Sequence, residues 1–356
     1  MSTDVRGPQG FEQAIKSGAD TVAHFDEQKS VVQRIQGVLH HTPALVPLIV
    51  LVVSTVIFGL ILGSRFFSAY ALTLIVRQVA ITGIVGAAQT LVVLTAGIEL
   101  SVGAIMVLSS VVMGQVVFRY GLPPAFAIVC GLALGAAIGS LNGTLVAKMK
   151  LPPFIVTLGM WQIVLATNFI YSGNETIRAQ DIQDKAPLLQ MFGNTVEVGG
   201  AVLTWGAIFM LALVLLLAYV LRHTAWGRHV YAVGDDPDAA ALAGVRVTRV
   251  LISVYTLAGL ICAMAGWALI GRLGSVSPQS GQFENINSIT AVVIGGISLF
   301  GGRGSIMGMM FGALIVGVFT LGLNMYGTDP QWTYLLIGVL IIAAVAVDQW
   351  IRKAAA

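Results

Sequence analysis

Residues 44–62 form a run of nineteen residues without a charged side chain. About 20 apolar residues in a helix cross the roughly 30 Å hydrocarbon core of a bilayer, so this run predicts a first transmembrane helix. Hydrophobic residues make up 57% of the chain and charged residues only 10%, whereas soluble domains carry about 25% charged residues. Such an apolar surplus cannot be buried in one water-facing globule. The sequence therefore predicts an all-α integral membrane protein.

Ten apolar segments are candidate transmembrane helices, with a range of eight to ten. They are Ala44–Leu62, Leu72–Thr95, Val102–Phe118, Pro124–Val146, Phe154–Tyr171, Ala201–Leu221, Val250–Ile270, Ile289–Leu299, Met307–Leu323 and Trp332–Val347. Ile289–Leu299 is too short to cross alone, so it predicts half of a broken helix or a re-entrant segment. Interrupted helices are thus expected in the fold.

The distribution of lysine and arginine predicts a cytoplasmic N-terminus, because cytoplasmic loops carry an excess of both. The basic residues then expected inside are Arg6, Lys16, Lys29, Arg34, Lys148, Lys150, Arg222, Arg228, Arg246, Arg249, Arg303, Arg352 and Lys353. Those expected outside are Arg65, Arg119, Arg178, Lys185 and Arg272. The chain divides into an N-terminal extension (1–42), a transmembrane domain (43–350) and, within it, a cytoplasmic loop (222–249). The extension is either an amphipathic helix on the membrane surface or a partly ordered tail.

Sequence patterns of enzymes and of nucleic-acid-binding proteins are absent. None of the five histidines belongs to an HExxH pattern, no GxSxG occurs, and no lysine follows a glycine, which rules out a Walker A loop. The basic residues form no patch, which argues against nucleic acid. We expect no catalytic residues, no metal site and no cofactor, so any ATP must be hydrolysed by another chain.

Two charged residues, Glu99 and Arg77, lie at or within predicted spans, where a charge costs about 2.5–3.5 kcal/mol at mid-depth. Glu99 either lines a translocation route, or holds a broken helix by a polar contact, or lies at the membrane–water edge. Arg77 is expected to reach toward the outer interface. Gly97, Ser101 and Gly103 permit an irregular backbone around Glu99. The string Gly97-Ile98-x-Leu100-x-x-Gly103 recurs at residues 296–302, which hints at an internal repeat, inverted or parallel.

A short helix is predicted within the cytoplasmic loop. Asp236 is a suitable N-cap residue, Pro237 suits the first helical position, and the charge of Asp238 is favourable at the positive end of the helix dipole. Ala239 and Ala240 favour the helical conformation, and Gly244 can end the helix. A helix of two turns is marginal by itself in water. It is expected either to dock into a groove of another chain or to pack on its own protein.

The segment 238–244 resembles the EAA-type loop of ABC importer permeases, with Asp238 in place of the usual Glu. LTAGIELSVGAI (94–105), GSLNGTLVAKMKLPPFIVTLGM (139–160) and AVVIGGISLFGGRGSIMGMMFGAL (291–314) resemble motifs of ribose/xylose-type monosaccharide permeases, although Glu99 stands where Asp is usual. The resemblance implies a multi-pass protein of the bacterial inner membrane that pairs with a second copy of itself. It also implies a periplasmic sugar-binding protein, a cytoplasmic ATPase and a coupling helix at Asp236–Ala243.

The function implied is import of a monosaccharide, a pentose or a hexose, through a path lined by small and uncharged polar groups. HTAWGRHVYAVGDDP (223–237) points weakly toward fructose permeases. Path candidates are Gly97, Glu99, Ser101, Asn142, Gln162, Asn168, Asn287 and Asn324, although the amides suit interhelical hydrogen bonds as well. The alternative function is ion-coupled secondary transport of a small polar solute. Buried carboxylates would be needed for that alternative, and Glu99 is nearly alone.

Overall fold

The computed structural model describes residues 44–281 and 283–353. They form mainly α-helices, with one two-stranded hairpin. The helices of the described residues are α1 Leu45–Leu62, α2 Ala69–Leu94, α3 Val102–Phe118, α4 Pro124–Ala147, α5 Pro153–Ser172, α6 Ala179–Lys185, α7 Trp205–His223, α8 Ala225–Asp235, α9 Pro237–Leu242, α10 Val247–Leu273, α11 Glu284–Ile294, α12 Ile306–Tyr326 and α13 Pro330–Lys353. The N-terminal extension lies outside the described residues.

Every predicted apolar segment contributes to a helix. Within the described residues, seven helices are long and apolar enough to cross a membrane, and Val102–Phe118 and Gln331–Ala346 are shorter apolar helices. The predicted span Ile289–Leu299 is instead a helix of 11 residues, Glu284–Ile294. Its length of about 16 Å is half of a bilayer core, as expected of a broken helix.

The predicted span Ala201–Leu221 is wrong at its start. Residues Ala201–Thr204 form strand β2, which pairs antiparallel with β1, Thr195–Val198. Gly199 and Gly200 join the strands and have φ angles of 57° and 84°. A two-residue turn with both central residues in the left-handed region is the type that matches the twist of a hairpin. The helix α7 begins only at Trp205, after the hairpin.

Helix α10 lies at the centre of the bundle and packs against α2, α3 and α4. On α4, Gly131, Gly135, Gly139 and Gly143 recur every fourth residue and lie on one face. A Cβ atom at Gly135 would lie 2.5 Å from the carbonyl oxygen of Gly259, and one at Gly139 would lie 2.2 Å from that of Tyr255. The backbones of α4 and α10 are therefore in direct contact, as small residues allow within membranes.

The loop 222–249 is more ordered than the sequence indicates, because an amphipathic helix, α8, precedes the predicted short helix. Thr224 caps α8 by accepting a hydrogen bond from the N–H of Gly227 at 3.1 Å. Trp226 donates its indole N–H to Ser253 Oγ on α10 at 2.8 Å. The loop is thus attached to the helical bundle along its first half.

Candidate functional site

Seven residues, 95–101, interrupt the helical path between α2 and α3, and a buried carboxylate holds them. The side chain of Glu99 is only 2% exposed. Its Oε1 accepts the backbone N–H of Ser101 at 2.8 Å and also the Ser101 hydroxyl. Its Oε2 accepts Nδ2 of Asn142, on α4, at 2.9 Å. Hydrogen-bond donors thus surround this buried carboxylate, as a buried polar group requires, and Glu99 holds the interrupted segment by polar contacts.

Two further helices fix this interrupted segment. Thr157, on α5, donates its hydroxyl to the carbonyl oxygen of Ile98 at 2.9 Å. On the α10 side, a Cβ atom at Gly97 would lie 2.7 Å from the hydroxyl oxygen of Tyr255. The segment between α2 and α3 is therefore enclosed by α4, α5 and α10, and it has no room for a side chain at Gly97.

A second interrupted segment, residues 295–305, separates α11 from α12, and it begins in the same way as the first. Each helix ends with a residue in the left-handed region: Ala96 at φ 58° and Gly296 at φ 71°. In both cases this residue donates its N–H to the carbonyl three residues earlier, and the next residue donates to the carbonyl five residues earlier. This is the Schellman pattern. The recurrence in the sequence is real, but the structure aligns Gly296 with Ala96 rather than with Gly97.

The second interrupted segment meets the end of α2, directly before the first, at a backbone contact that we call the glycine junction, formed by Leu94, Gly234 and Gly302. Gly302 donates its N–H to the carbonyl oxygen of Leu94 at 3.0 Å. Gly234, near the end of α8, packs so closely that an added Cβ would lie 1.8 Å from the same oxygen and 2.7 Å from the nitrogen of Gly302. A helix of the long loop therefore contacts both interrupted segments at one point.

Tyr231 provides a second contact between α8 and the segment 295–305. Its hydroxyl donates to the carbonyl oxygen of Gly304 at 3.0 Å. Burial raises the pKa of this hydroxyl, so Tyr231 stays protonated and remains a donor at neutral pH. Helix α8 is thus attached to the second interrupted segment at two places.

Helix α9 follows α8 and has the ends that the sequence predicts. The Asp236 carboxylate accepts the backbone N–H groups of Asp238 and Ala239 at 2.9 and 3.0 Å, and Gly244 lies at φ 85°, in the left-handed region that follows such a helix end. Ala240 is buried against the protein, whereas Leu242 is 91% exposed. Helix α9 therefore packs on the protein through Ala240 and exposes Leu242 at its last position.

A cavity of about 290 Å³ lies between α3, α5 and the segment before α11. Its walls include Trp161, Asn168 and Asn285. Asn168 donates Nδ2 to the carbonyl oxygen of Pro278 at 2.8 Å. Asn285 accepts the backbone N–H of Gly103 at 2.6 Å. The cavity therefore offers an aromatic side chain and two amides about midway along α5.

A second carboxylate, Glu284, lies at the start of α11. This half-buried side chain accepts the hydroxyl of Thr82 at 2.9 Å. Glu284 is therefore a second carboxylate, besides Glu99, that is hydrogen bonded within the helical bundle.

Comparison with protein families matches residues 71–345 to the family described as "Branched-chain amino acid transport system / permease component". The chain belongs to this permease family. The resemblance to importer permeases that the sequence motifs indicate is thereby confirmed.

Among curated proteins, the chain is 70% identical to the fructose import permease protein of Rhizobium meliloti, over 100% of this chain and 99% of the relative. It is 36% identical to the ribose import permease protein of Bacillus subtilis, over 91% of this chain and 96% of the relative. It is 31% identical to the xylose transport system permease protein of Haemophilus influenzae, over 86% and 96%. No solved structure matches the permease.

The path candidates of the permease fall into two groups. Gly97, Glu99, Ser101 and Asn142 come together around the first interrupted segment, and they do not line the 290 Å³ cavity. Asn168 alone lines the 290 Å³ cavity. The other amides are apart from both groups: Gln162 and Asn324 are exposed and Asn287 is half-buried.

Three features escaped the sequence reasoning. Asn285 lies two residues from the candidate Asn287 in the same polar stretch, so residue type alone could not separate them. Gly234 was not singled out, because its role depends on the distant Leu94. Leu242 could have been found, since it is the only large apolar residue of α9.

Proposed function

We propose that this permease is the membrane subunit of an ATP-driven importer that carries fructose into the cytoplasm. The observation that carries the proposal is the 70% identity, over the whole chain, to a fructose import permease protein. Relatives named for ribose and xylose have about half that identity. Because fructose is neutral and polyhydroxylated, its path needs polar groups and aromatic surface rather than charge.

The proposed orientation places the N-terminus and the helices α8 and α9 in the cytoplasm. It is supported by the basic residues of the long loop, Arg222, Arg228, Arg246 and Arg249, because cytoplasmic loops carry an excess of lysine and arginine. In a bacterium this orientation places the multi-pass permease in the inner membrane. The hairpin β1–β2 then lies on the periplasmic side, where a sugar-binding protein delivers the substrate.

In the proposed mechanism, α9 is the coupling helix and docks into a groove of a separate cytoplasmic ATPase. Leu242 supplies the apolar contact, and the Asp236 cap keeps the helix formed. Movement of the ATPase is transmitted from α9 to α8, and from α8 through the glycine junction to both interrupted segments. The absence of a Walker A loop from the sequence supports a separate ATPase chain.

The 290 Å³ cavity is the part of the structure that best suits a sugar in transit. The indole of Trp161 offers an apolar face, and Asn168 and Asn285 offer amide groups. A second copy of the permease would complete the path on the open side of this cavity. In this view Glu99, Ser101 and Asn142 hold the first interrupted segment and do not contact the sugar.

The test is uptake of labelled fructose by proteoliposomes that contain the permease, its ATPase and its binding protein. We expect uptake that requires ATP and all three proteins, and that excess unlabelled fructose reduces far more than ribose or xylose. If the permease alone concentrates fructose on an ion gradient, it is a secondary transporter instead, and Glu99 and Glu284 become the candidate ion-binding carboxylates. If ribose competes better than fructose, the substrate assignment is wrong.

A further inference from the structure

Arg77 is a charged residue within the span of α2 that the transport proposal does not use. Helix α2 has 26 residues and is about 39 Å long, roughly 9 Å longer than the hydrocarbon core. Arg77 lies eight residues after Ala69, or about 12 Å from that end. Its backbone is therefore inside the hydrocarbon, with the guanidinium within reach of the headgroup level.

Across residues 44–281 and 283–353, the guanidinium of Arg77 has no hydrogen-bond or ion-pair partner, and the side chain is half-buried. Ionisable side chains at this depth in a membrane usually have a partner or a function. A hydrogen-bond acceptor or anion for Arg77 is therefore expected outside the described residues.

Arg77 lines a cavity of about 360 Å³, which we call the arginine cavity and define by Arg77, Gln78, Thr204 and Arg272. Arg272, near the end of α10, also donates a guanidinium N–H to the carbonyl oxygen of Gln78 at 3.3 Å. No carboxylate is among the lining residues. Glu284, which does not line the cavity, interacts electrostatically with Arg272 and accepts the hydroxyl of Thr82. The cavity therefore presents two positive groups to whatever fills it.

The remaining walls favour an anion attached to apolar chains. Helix α7 begins at the cavity, where Gly206 of its first turn is a lining residue, and the N-terminus of a helix of this length carries a partial positive charge. Leu74, Ile81 and Leu321 provide apolar surface in the same cavity. Arginine forks match the oxygen atoms of a phosphate group better than those of a neutral sugar.

We propose that the arginine cavity binds the phosphate group of an anionic phospholipid from the membrane leaflet opposite α9. Arg77 and Arg272 hold the phosphate oxygens from two helices, and the acyl chains follow the apolar surface between α2 and α12. The bound lipid thereby supplies an anionic partner for Arg77.

The test is native mass spectrometry of the purified full-length permease from nanodiscs with equal amounts of phosphatidylglycerol and phosphatidylcholine. We expect the wild type to retain phosphatidylglycerol preferentially, and Arg77→Gln and Arg272→Gln to retain at least about tenfold less, since each removes a charge-assisted contact. Arg119→Gln is the matched control. Arg119 is an exposed arginine beyond α3 that donates to the carbonyl oxygen of Tyr171, and its loss should change nothing.

Further measurements separate the possible outcomes. Size-exclusion profiles of the variants show whether a loss of lipid binding reflects misfolding. Arg77→Lys keeps the positive charge and should restore part of the lipid binding. Equal retention of phosphatidylglycerol by Arg77→Gln and the wild type, or equal retention of the two lipids by the wild type, would overturn the proposal. The proposal that the phosphate belongs to a lipid would also be overturned if inorganic phosphate stabilised the lipid-free wild-type permease while no phosphatidylglycerol was retained.

Discussion

The backbone N–H of Gly302 donates to the carbonyl oxygen of Leu94 at 3.0 Å, so the second interrupted segment is hydrogen bonded to the end of the helix that precedes the first. Gly234 closes this contact from α8. A movement of the loop 222–249 would therefore reach both interrupted segments without passing through flexible side chains.

Gly234→Ala should separate ATPase binding from transport. The added Cβ would lie 1.8 Å from the carbonyl oxygen of Leu94, so α8 must move away from the glycine junction. We expect fructose uptake to fall at least about tenfold while the ATPase still binds, because α9 is unchanged. Uptake and co-purification of the ATPase are the two measurements. The control is Gly159→Ala on α5, where an added Cβ meets no atom within 4 Å. Full uptake by Gly234→Ala would contradict the proposed route from α8 to the interrupted segments.

Glu99→Ala should lower the stability of the permease, because it leaves the buried donors of Ser101 and Asn142 without their acceptor. An unsatisfied buried donor costs about 1–3 kcal/mol. We expect a lower melting temperature in detergent and a smaller effect for Glu99→Gln, whose side-chain oxygen can still accept. The double variant Glu99→Ala/Asn142→Ala should lose less than the sum of the two single variants, since the residues share one network. Additive losses would show that the two residues act separately.

Leu242→Asp should abolish binding of the ATPase while leaving the permease folded. Leu242 is 91% exposed, so a charge there costs little in the isolated permease but would be buried without a partner in an apolar groove. Co-purification with the ATPase measures the effect, and the melting temperature of the permease should not change. Thr248→Asp introduces the same charge at an exposed position of α10 and should bind normally. Unimpaired binding by Leu242→Asp would exclude Leu242 from the docking contact.

Ala96→Gly should stabilise the permease slightly, whereas Gly296→Ala should destabilise it. Both positions are in the left-handed region, which costs a residue with a Cβ atom about 1–2 kcal/mol. Glycine at position 96 would avoid that cost, but it would lose about 0.5–1 kcal/mol through its larger loss of backbone entropy on folding. The melting temperatures of both variants should therefore move in opposite directions. A shift in the same direction would contradict the structural equivalence of the two helix ends.

Most helices could be predicted from the sequence, because apolar runs of bilayer length depend only on local composition. The hairpin was missed although its signal was present: TVEV and AVLT flank Gly199-Gly200, and alternating strand formers around two glycines are typical of a tight hairpin. Helix α8 was missed because its arginine and histidine made the segment resemble a polar loop. Both omissions are failures to use a local pattern.

The burial of Glu99 could not be predicted, for a different reason. Its partner Asn142 lies 43 residues away in the sequence, and only the packing of α4 against α3 and the segment before it brings the two together. The sequence repeat pairs Gly296 with Gly97, one residue away from the structural match with Ala96, because identical residues do not reveal which position adopts a positive φ angle. The glycine junction likewise depends on three distant segments.

The glycine face of α4 also limits how the permease can move. Gly135 and Gly139 bring its backbone against that of α10, and atoms already in contact leave no side chain whose rotation could absorb sliding. These two helices should therefore move together as one rigid body. The shape change that opens the path to one side of the membrane and then the other must then take place at looser boundaries, such as that between α5 and α11.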